Sequence, residues 1–317
     1  MISKEIQNCT YFRIVNDLLF CDIGGVCYMN WQKTEIAEDT IMFCNDGKVF
    51  YYEKHCLYEV MSNGTIKEAF KYEPSSYIES IENCYLIFNR ISRYDKNYRL
   101  VDKEKNIVWL DNKNWGYKII ENSLFLFEEN KISKITIQTG KPLWLHTLPE
   151  GFTIRGSVQA IDNVLFFIAY KDNHYQLVTG LDIETGNVLY QNQYEVTTAN
   201  NFIVARNLNP SDNLMYGYGH VYQVLNPKTG EIILQKTFVE NQKYDLLPGV
   251  QSIYDNKLWF VSRRGEKAKF GAVNLKTSEI DFIQDFPLEN DGQLDKPVFH
   301  NEKLYLRDTN DILYVLE

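Results

Sequence analysis

Histidines, cysteines and clustered carboxylates are the residues of this 317-residue sequence that could hold a metal or move a proton, and their spacing suits neither task. His55, His146, His174, His220 and His300 form no HxH or HExxH pair, so no two stand at the interval that brings imidazoles onto one zinc ion. Cys9, Cys21, Cys27, Cys44, Cys56 and Cys84 are crowded into the first part of the chain, yet none makes a CxxC pair, and His55 beside Cys56 has no partner at ligand spacing. As core thiols of a reducing compartment they need neither metal nor disulfide. Asn290-Asp291-Gly292 with Asp295 lacks the alternating carboxylates of a calcium loop, and neither a Gly-x-Ser-x-Gly elbow nor a phosphate-binding glycine loop occurs. No catalytic residue, metal ligand or cofactor is assigned.

Recognition is the chemistry that remains. Trp, Tyr and Arg dominate interface energetics because each joins a large apolar body to a polar end. Trp115, Arg155, Tyr244, Arg263 and Arg264 lie in long polar loops and are the expected contacts. Each has a plainer reading: Trp115 as a cap on the core, Arg155 as the counter-ion of a nearby carboxylate, Arg263-Arg264 as a solvated loop tip. The net charge of -9 argues against a nucleic-acid binder, since phosphate neutralisation needs a surplus of Lys and Arg on one face. It suits solubility, or a basic partner protein. The start, MISKEIQNCTYFRIV, has no basic segment followed by an apolar run, and no later stretch approaches the roughly 18 apolar residues of a membrane span. The expectation is a soluble cytoplasmic protein, in which the sequons at Asn8 and Asn63 carry little weight.

The elements that must position these loops are spelled repeatedly. Residues 181–190, LDIETGNVLY, run into a Thr-Gly corner and out again as a second apolar stretch, the pattern of two antiparallel strands joined by a tight turn. It returns as ITIQTGKPLW, VLNPKTGEIIL and VNLKTSEIDF, with corner threonines Thr139, Thr185, Thr229 and Thr277, hence every 44–48 residues. That period belongs to four-stranded propeller blades. A second mark is an acidic or amide pair followed at once by an apolar strand, ending at Asp39, Asn83, Asn122, Asn163, Asn213, Asn256 and Glu302. Such side chains bond nearby backbone and tolerate left-handed dihedrals. The pair Asn16-Asp17 resembles them but precedes Asp39 by only 22 residues. With 22 Tyr and 18 Phe against 8 Pro, the composition is that of strands. The expectation is one all-β domain over 1–317, a β-propeller of four-stranded antiparallel blades. Seven blades are favoured over eight, with 1–38 completing the closing blade and the N- and C-terminal strands paired. That pairing removes an exposed edge.

The Asp-x-x-Thr-Gly-x-x-Leu-Tyr/Trp pattern, carried by residues 182–190 and less fully by 137–144 and 227–234, resembles the repeat of quinoprotein-type (PQQ-like) β-propellers. Weaker echoes stand at 57–70 and 100–109. The resemblance implies the fold and is nearly silent on function, because the family holds dehydrogenases, assembly scaffolds and binding proteins. Its dehydrogenases are longer, exported and carry an adjacent cysteine pair; its scaffolds begin with a lipoprotein signal. This chain has neither feature, and no cofactor residue is carried over.

In such a blade both corner types open on one face and the longer connections on the other, where repeat folds keep their insertions. Loops 71–77, 111–117, 146–156, 194–202, 239–249 and 286–297 between blades belong there, with 89–99, 170–176 and 262–270 inside blades. The expected function is a non-catalytic protein-binding propeller using that face or the disc edge, inhibitor- or immunity-like against a basic partner. The alternative is a propeller enzyme or a sugar or lactone binder using a central channel.

Overall fold

The computed structural model describes residues 2–37, 40, 42–45, 47–90, 96–111, 116–154, 158–198, 201–238, 246, 248–262, 268–288 and 292–317. Among them the strands form eight antiparallel sheets, seven of four strands and one of five. Two compact units divide the chain, 40–193 on one hand and 1–39 with 194–317 on the other.

Unit 40–193 holds four sheets in chain order. The first comprises Met42–Asn45, Lys48–Glu53, Cys56–Val60 and Ile66–Lys71, and the second Tyr77–Ile81, Cys84–Arg90, Lys96–Asp102 and Ile107–Asp111. The third comprises Gly116–Ile120, Ser123–Glu128, Lys131–Ile135 and Pro142–Thr147. In the fourth, Thr153–Ile154 and Gln159–Ile161 share the first position beside Val164–Lys171, followed by Tyr175–Asp182 and Val188–Glu195. Successive sheets are joined by apolar layers: Phe50, Leu57 and Phe70 against Ile78, Ile87 and Val101; Leu86, Tyr98 and Leu100 against Leu124, Leu126 and Ile135; Phe125, Ile132 and Trp144 against Leu165, Phe167 and Leu177. Middle strands are therefore covered on both faces and read as unbroken apolar runs, as VLFFIAYK does, whereas outer strands alternate.

The other unit follows the same plan with Asn207–Asn209, Leu214–Tyr218, Tyr222–Asn226 and Glu231–Lys236, then Ser252–Tyr254, Lys257–Ser262, Lys269–Asn274 and Glu279–Asp285. Its third sheet joins the chain ends: Val298–His300, Lys303–Arg307 and Leu313–Leu316 are completed by Ile2–Ile6, which pairs with Leu313–Leu316 as the fourth strand. Its fourth is Cys9–Val15, Leu18–Ile23, Val26–Met29 and Gln32–Lys33.

That last sheet corrects the favoured count of seven. Residues 9–33 do not complete the closing sheet; they build an eighth. It is short because its turns are Asn16-Asp17, Gly24-Gly25 and Asn30-Trp31, every one of these residues at positive φ, the geometry of two-residue hairpins. The Thr-Gly spelling is thus missing from it. The pair Glu38-Asp39 lies outside the described residues, and the strand after it, Met42–Asn45, comes first in its sheet rather than second.

The Thr-Gly corner recurs because three demands coincide there. Asp182 Oδ1 accepts from the backbone N–H of Glu184 (3.1 Å) and Thr185 (2.8 Å) and from the Thr185 hydroxyl (2.8 Å). These bonds, the hydroxyl's above all, hold the Asp182 carboxyl below its ordinary range. Asn226 and Asn274 take the same place in their turns. Gly186 follows at φ +72° and lies under the Trp144 ring of the preceding sheet, whose Nε1 donates to Ile183 O at 3.2 Å. Trp109 covers Gly140 likewise. Tyr194 reaches Gly230 O at 2.9 Å, and Lys236 Nζ reaches Ser278 O at 3.3 Å. A side chain of one outer strand thus clamps the next sheet's turn.

All six cysteines are free thiols, and Cys9, Cys21, Cys27 and Cys56 are buried. Burial pushes the Cys9 and Cys21 thiols up to about 12, which keeps them protonated and unreactive.

Candidate binding surfaces

The five sequence-predicted contacts, Trp115, Arg155, Tyr244, Arg263 and Arg264, all lie outside the described residues, as do Asn290 and Asp291 of the weak cation loop. Among the described residues no group of three His, Cys, Asp or Glu side chains stands where it could hold a metal ion.

One long loop that is described, 71–77, brings Ser75 near His55. The arrangement is structural. Ser75 Oγ donates to Tyr72 O at 2.7 Å and stands 3.4 Å from His55 Nδ1, while that nitrogen lies 2.7 Å from Ser75 O. The Tyr52 hydroxyl donates to the same carbonyl at 2.8 Å. A hydroxyl committed to backbone and buried in this way has no access to substrate.

Two surfaces have the character of sites. The first is a cleft of about 830 Å³ between the sheet of residues 9–33 and the sheet that joins the chain ends. Its lining includes the turn residues Asp17, Asn30, Trp31 and Asn301, so it opens where the short corners lie. In its lining, His300 Nδ1 stands 3.3 Å from Asp17 Oδ1, and His300 Nε2 lies 3.0 Å from Asn301 Nδ2. If the amide donates to Nε2, the imidazole proton sits on Nδ1 and points at the carboxylate. Asp17 itself is 91% exposed. Lys303 pairs with Glu317, which draws the ammonium up and the carboxyl down from their ordinary values.

Trp31 lines the same cleft. The residue is 41% exposed, its indole 6.4 Å from the Tyr305 ring, with the Lys4 ammonium 5.4 Å over its face. Trp31 has φ +68° in the Asn30-Trp31 turn. Asn30 suits its own left-handed position and holds the turn, its Oδ1 accepting from Leu19 N at 3.0 Å. A tryptophan there costs about 1–2 kcal/mol of backbone free energy relative to glycine, which the packing of its buried part offsets.

The second surface is the outer edge of unit 40–193. On Pro142–Thr147, Leu143 is 60% and Leu145 59% exposed, while Trp144 between them points inward. The outer strands on either side repeat this with half-exposed Ile107 and Leu110, and with Val188 and Leu189. A cavity of about 280 Å³ lies beside Leu145, lined also by Asp111, Phe127, Lys131 and Pro142. Edge strands present unpaired backbone groups, and soluble proteins ordinarily blunt them with charge.

Sequence reasoning offered the disc edge as one of two binding surfaces without naming these residues, and did not point to the cleft. The exposed leucines could have been found from PLWLHT, where both alternating sets are apolar; the cleft carries no local signal beyond a tryptophan in a two-residue turn.

No protein-family model matches the sequence, and no curated protein does. Solved structures do. BamB from Moraxella catarrhalis superposes with a TM-score of 0.60 at 12% identity, over 99% of this chain and 96% of that one. Saccharomyces cerevisiae Sqt1 gives 0.58 at 10%, over 98% and 99%, and a europium-containing methanol dehydrogenase 0.53 at 11%, over 96% and 84%. At such identities the likeness shows the fold alone: an all-β propeller of four-stranded blades, of the type shared by PQQ-like proteins.

Proposed function

We propose that this chain is a non-catalytic propeller that holds another protein against the outer edge of unit 40–193. The observation that carries the reading is the row of exposed aliphatic pairs on three successive outer strands, Ile107 and Leu110, Leu143 and Leu145, Val188 and Leu189. Apolar area in water costs roughly 25 cal/mol per Å², and an extended partner segment relieves that cost while bonding the open strand edge. The cavity beside Leu145 supplies a pocket for one anchoring side chain. The net charge of -9 supports a basic partner, and an inhibitory or immunity-like role is the finer form of the proposal.

The test compares the wild type with the double substitution Leu143→Asp, Leu145→Asp. Both side chains are exposed, so the melting temperature should move by only a few degrees. Partner capture from native lysate should fall at least tenfold for any protein held at this edge. Equal capture of the same proteins by both forms overturns the reading, and loss of self-association alone would assign the edge to a second copy of the chain.

A further inference from the structure

We propose that the cleft between the sheet of residues 9–33 and the sheet of the chain ends is a saccharide-binding site. It lies in the unit of 1–39 and 194–317, is independent of the outer-edge surface, and is lined by side chains from both sheets.

Three features point to a polyhydroxylated ring. The first is the indole of Trp31, exposed beside Tyr305 on a turn whose left-handed φ disfavours any bulky side chain. Left-handed residues recur at turns throughout the fold, and what sets this one apart is the indole it carries. A sugar presents one face of C–H groups that packs on such a ring. The second is the charge balance: Lys4 and Lys303 against Asp17 and Glu317 leave the cleft close to neutral, so neither a phosphate nor a polycation is favoured over an uncharged ligand. The third is the planar polar wall. The Asp17 carboxylate and the Asn301 amide stand around His300 in the same cleft, and such groups receive hydroxyls of a sugar. A volume of about 830 Å³ falls in the range of small-molecule sites and leaves room for more than one sugar ring.

Lys4, now over the indole, occupies the place a ring would take, and moves aside at the surface on a flexible stem. The rival occupant is a partner's arginine, which also stacks on indole and pairs with carboxylate.

Calorimetric titration of the full chain separates these readings. The probes are maltose, cellobiose, N,N'-diacetylchitobiose and, as the rival, N-acetyl-arginine amide. The expected result is saturable binding of at least one disaccharide at millimolar concentration or below, weakened at least tenfold by Trp31→Gly and several-fold by Asp17→Asn. Trp31→Gly relieves the left-handed backbone at φ +68° but gives up the packing of a side chain more than half buried, so its melting temperature is measured beside its binding, and Asp17→Asn, at a 91% exposed side chain, supplies the loss that folding cannot explain. No saturable signal with any of the three disaccharides, or binding that Trp31→Gly leaves intact, overturns the proposal. Binding of the arginine probe alone, dependent on Trp31, overturns it in favour of a basic side chain.

Discussion

Gly186 shows how one residue can carry two constraints at once. Its φ of +72° disfavours any side chain, and an added Cβ would stand 2.5 Å from Trp144 Cδ2. Gly24 shares the first constraint at φ +59°, but a Cβ added there would meet nothing within 4 Å. Gly24→Ala should therefore cost about 1 kcal/mol, the backbone contribution alone, and Gly186→Ala about 2–4 kcal/mol once ring displacement is added. Urea denaturation of the two variants checks this, and equal losses would mean that the tryptophan clamp contributes nothing. Glu79 poses a second question at this scale. It accepts from the Tyr117 hydroxyl at 2.8 Å, and burial pushes its carboxyl up from the ordinary range despite that bond. A folded-state value above the unfolded one means that the folded form holds its proton more tightly. The favourable contribution is thus full below the unfolded value and is lost as pH rises through the folded value. Glu79→Gln keeps an acceptor for Tyr117 and removes the buried charge, so the variant should gain stability relative to the wild type at pH 7, with the gap closing towards pH 4. Denaturation midpoints across that range decide it; a gap that widens on acidification would contradict the assignment.

Among the elements, the hairpins were legible where their turns make the same demands each time. The Asp182, Asn226 and Asn274 turns all use an Asx side chain to hold backbone N–H groups and place a left-handed residue under a neighbour's side chain, and these demands leave letters in the sequence. The sheet of 9–33 makes different demands. Its two-residue turns need only left-handed residues, so it carries no Thr-Gly mark, and its strands read as part of the closing sheet. The Glu38-Asp39 pair has the right letters but precedes a first strand, because composition does not encode strand order within a sheet. The contact residues were unreadable for another reason. Asp17, Trp31, His300 and Tyr305 meet only through the pairing of two terminal sheets, and no local pattern announces a juxtaposition made at long range. The terminal pairing itself gives a test. Removing residues 1–6 strips the partner from Leu313–Leu316, four buried residues at a newly open edge. The shortened chain should aggregate at micromolar concentration, as read by light scattering, while a chain in which Ile2 and Ile6 are kept and Ser3, Lys4 and Glu5 become Thr should stay dispersed.

At the scale of the molecule, the propeller fold is common to this chain, BamB, Sqt1 and a methanol dehydrogenase, which separates architecture from occupation: what distinguishes one such protein from another lies in side chains on edges and in clefts. Here those are an aliphatic outer edge on one unit and a cleft lined in part by an indole on the other, on an acidic chain. Ile2–Ile6 is paired with Leu313–Leu316, and this has a consequence for how the protein is made. On the ribosome, Ile2–Ile6 emerges before every other described strand, and the strand it needs emerges after all of them. Until Leu313–Leu316 has emerged it must stay extended and uncommitted in the company of many similar strands, so a product truncated before that strand has one blade unable to form.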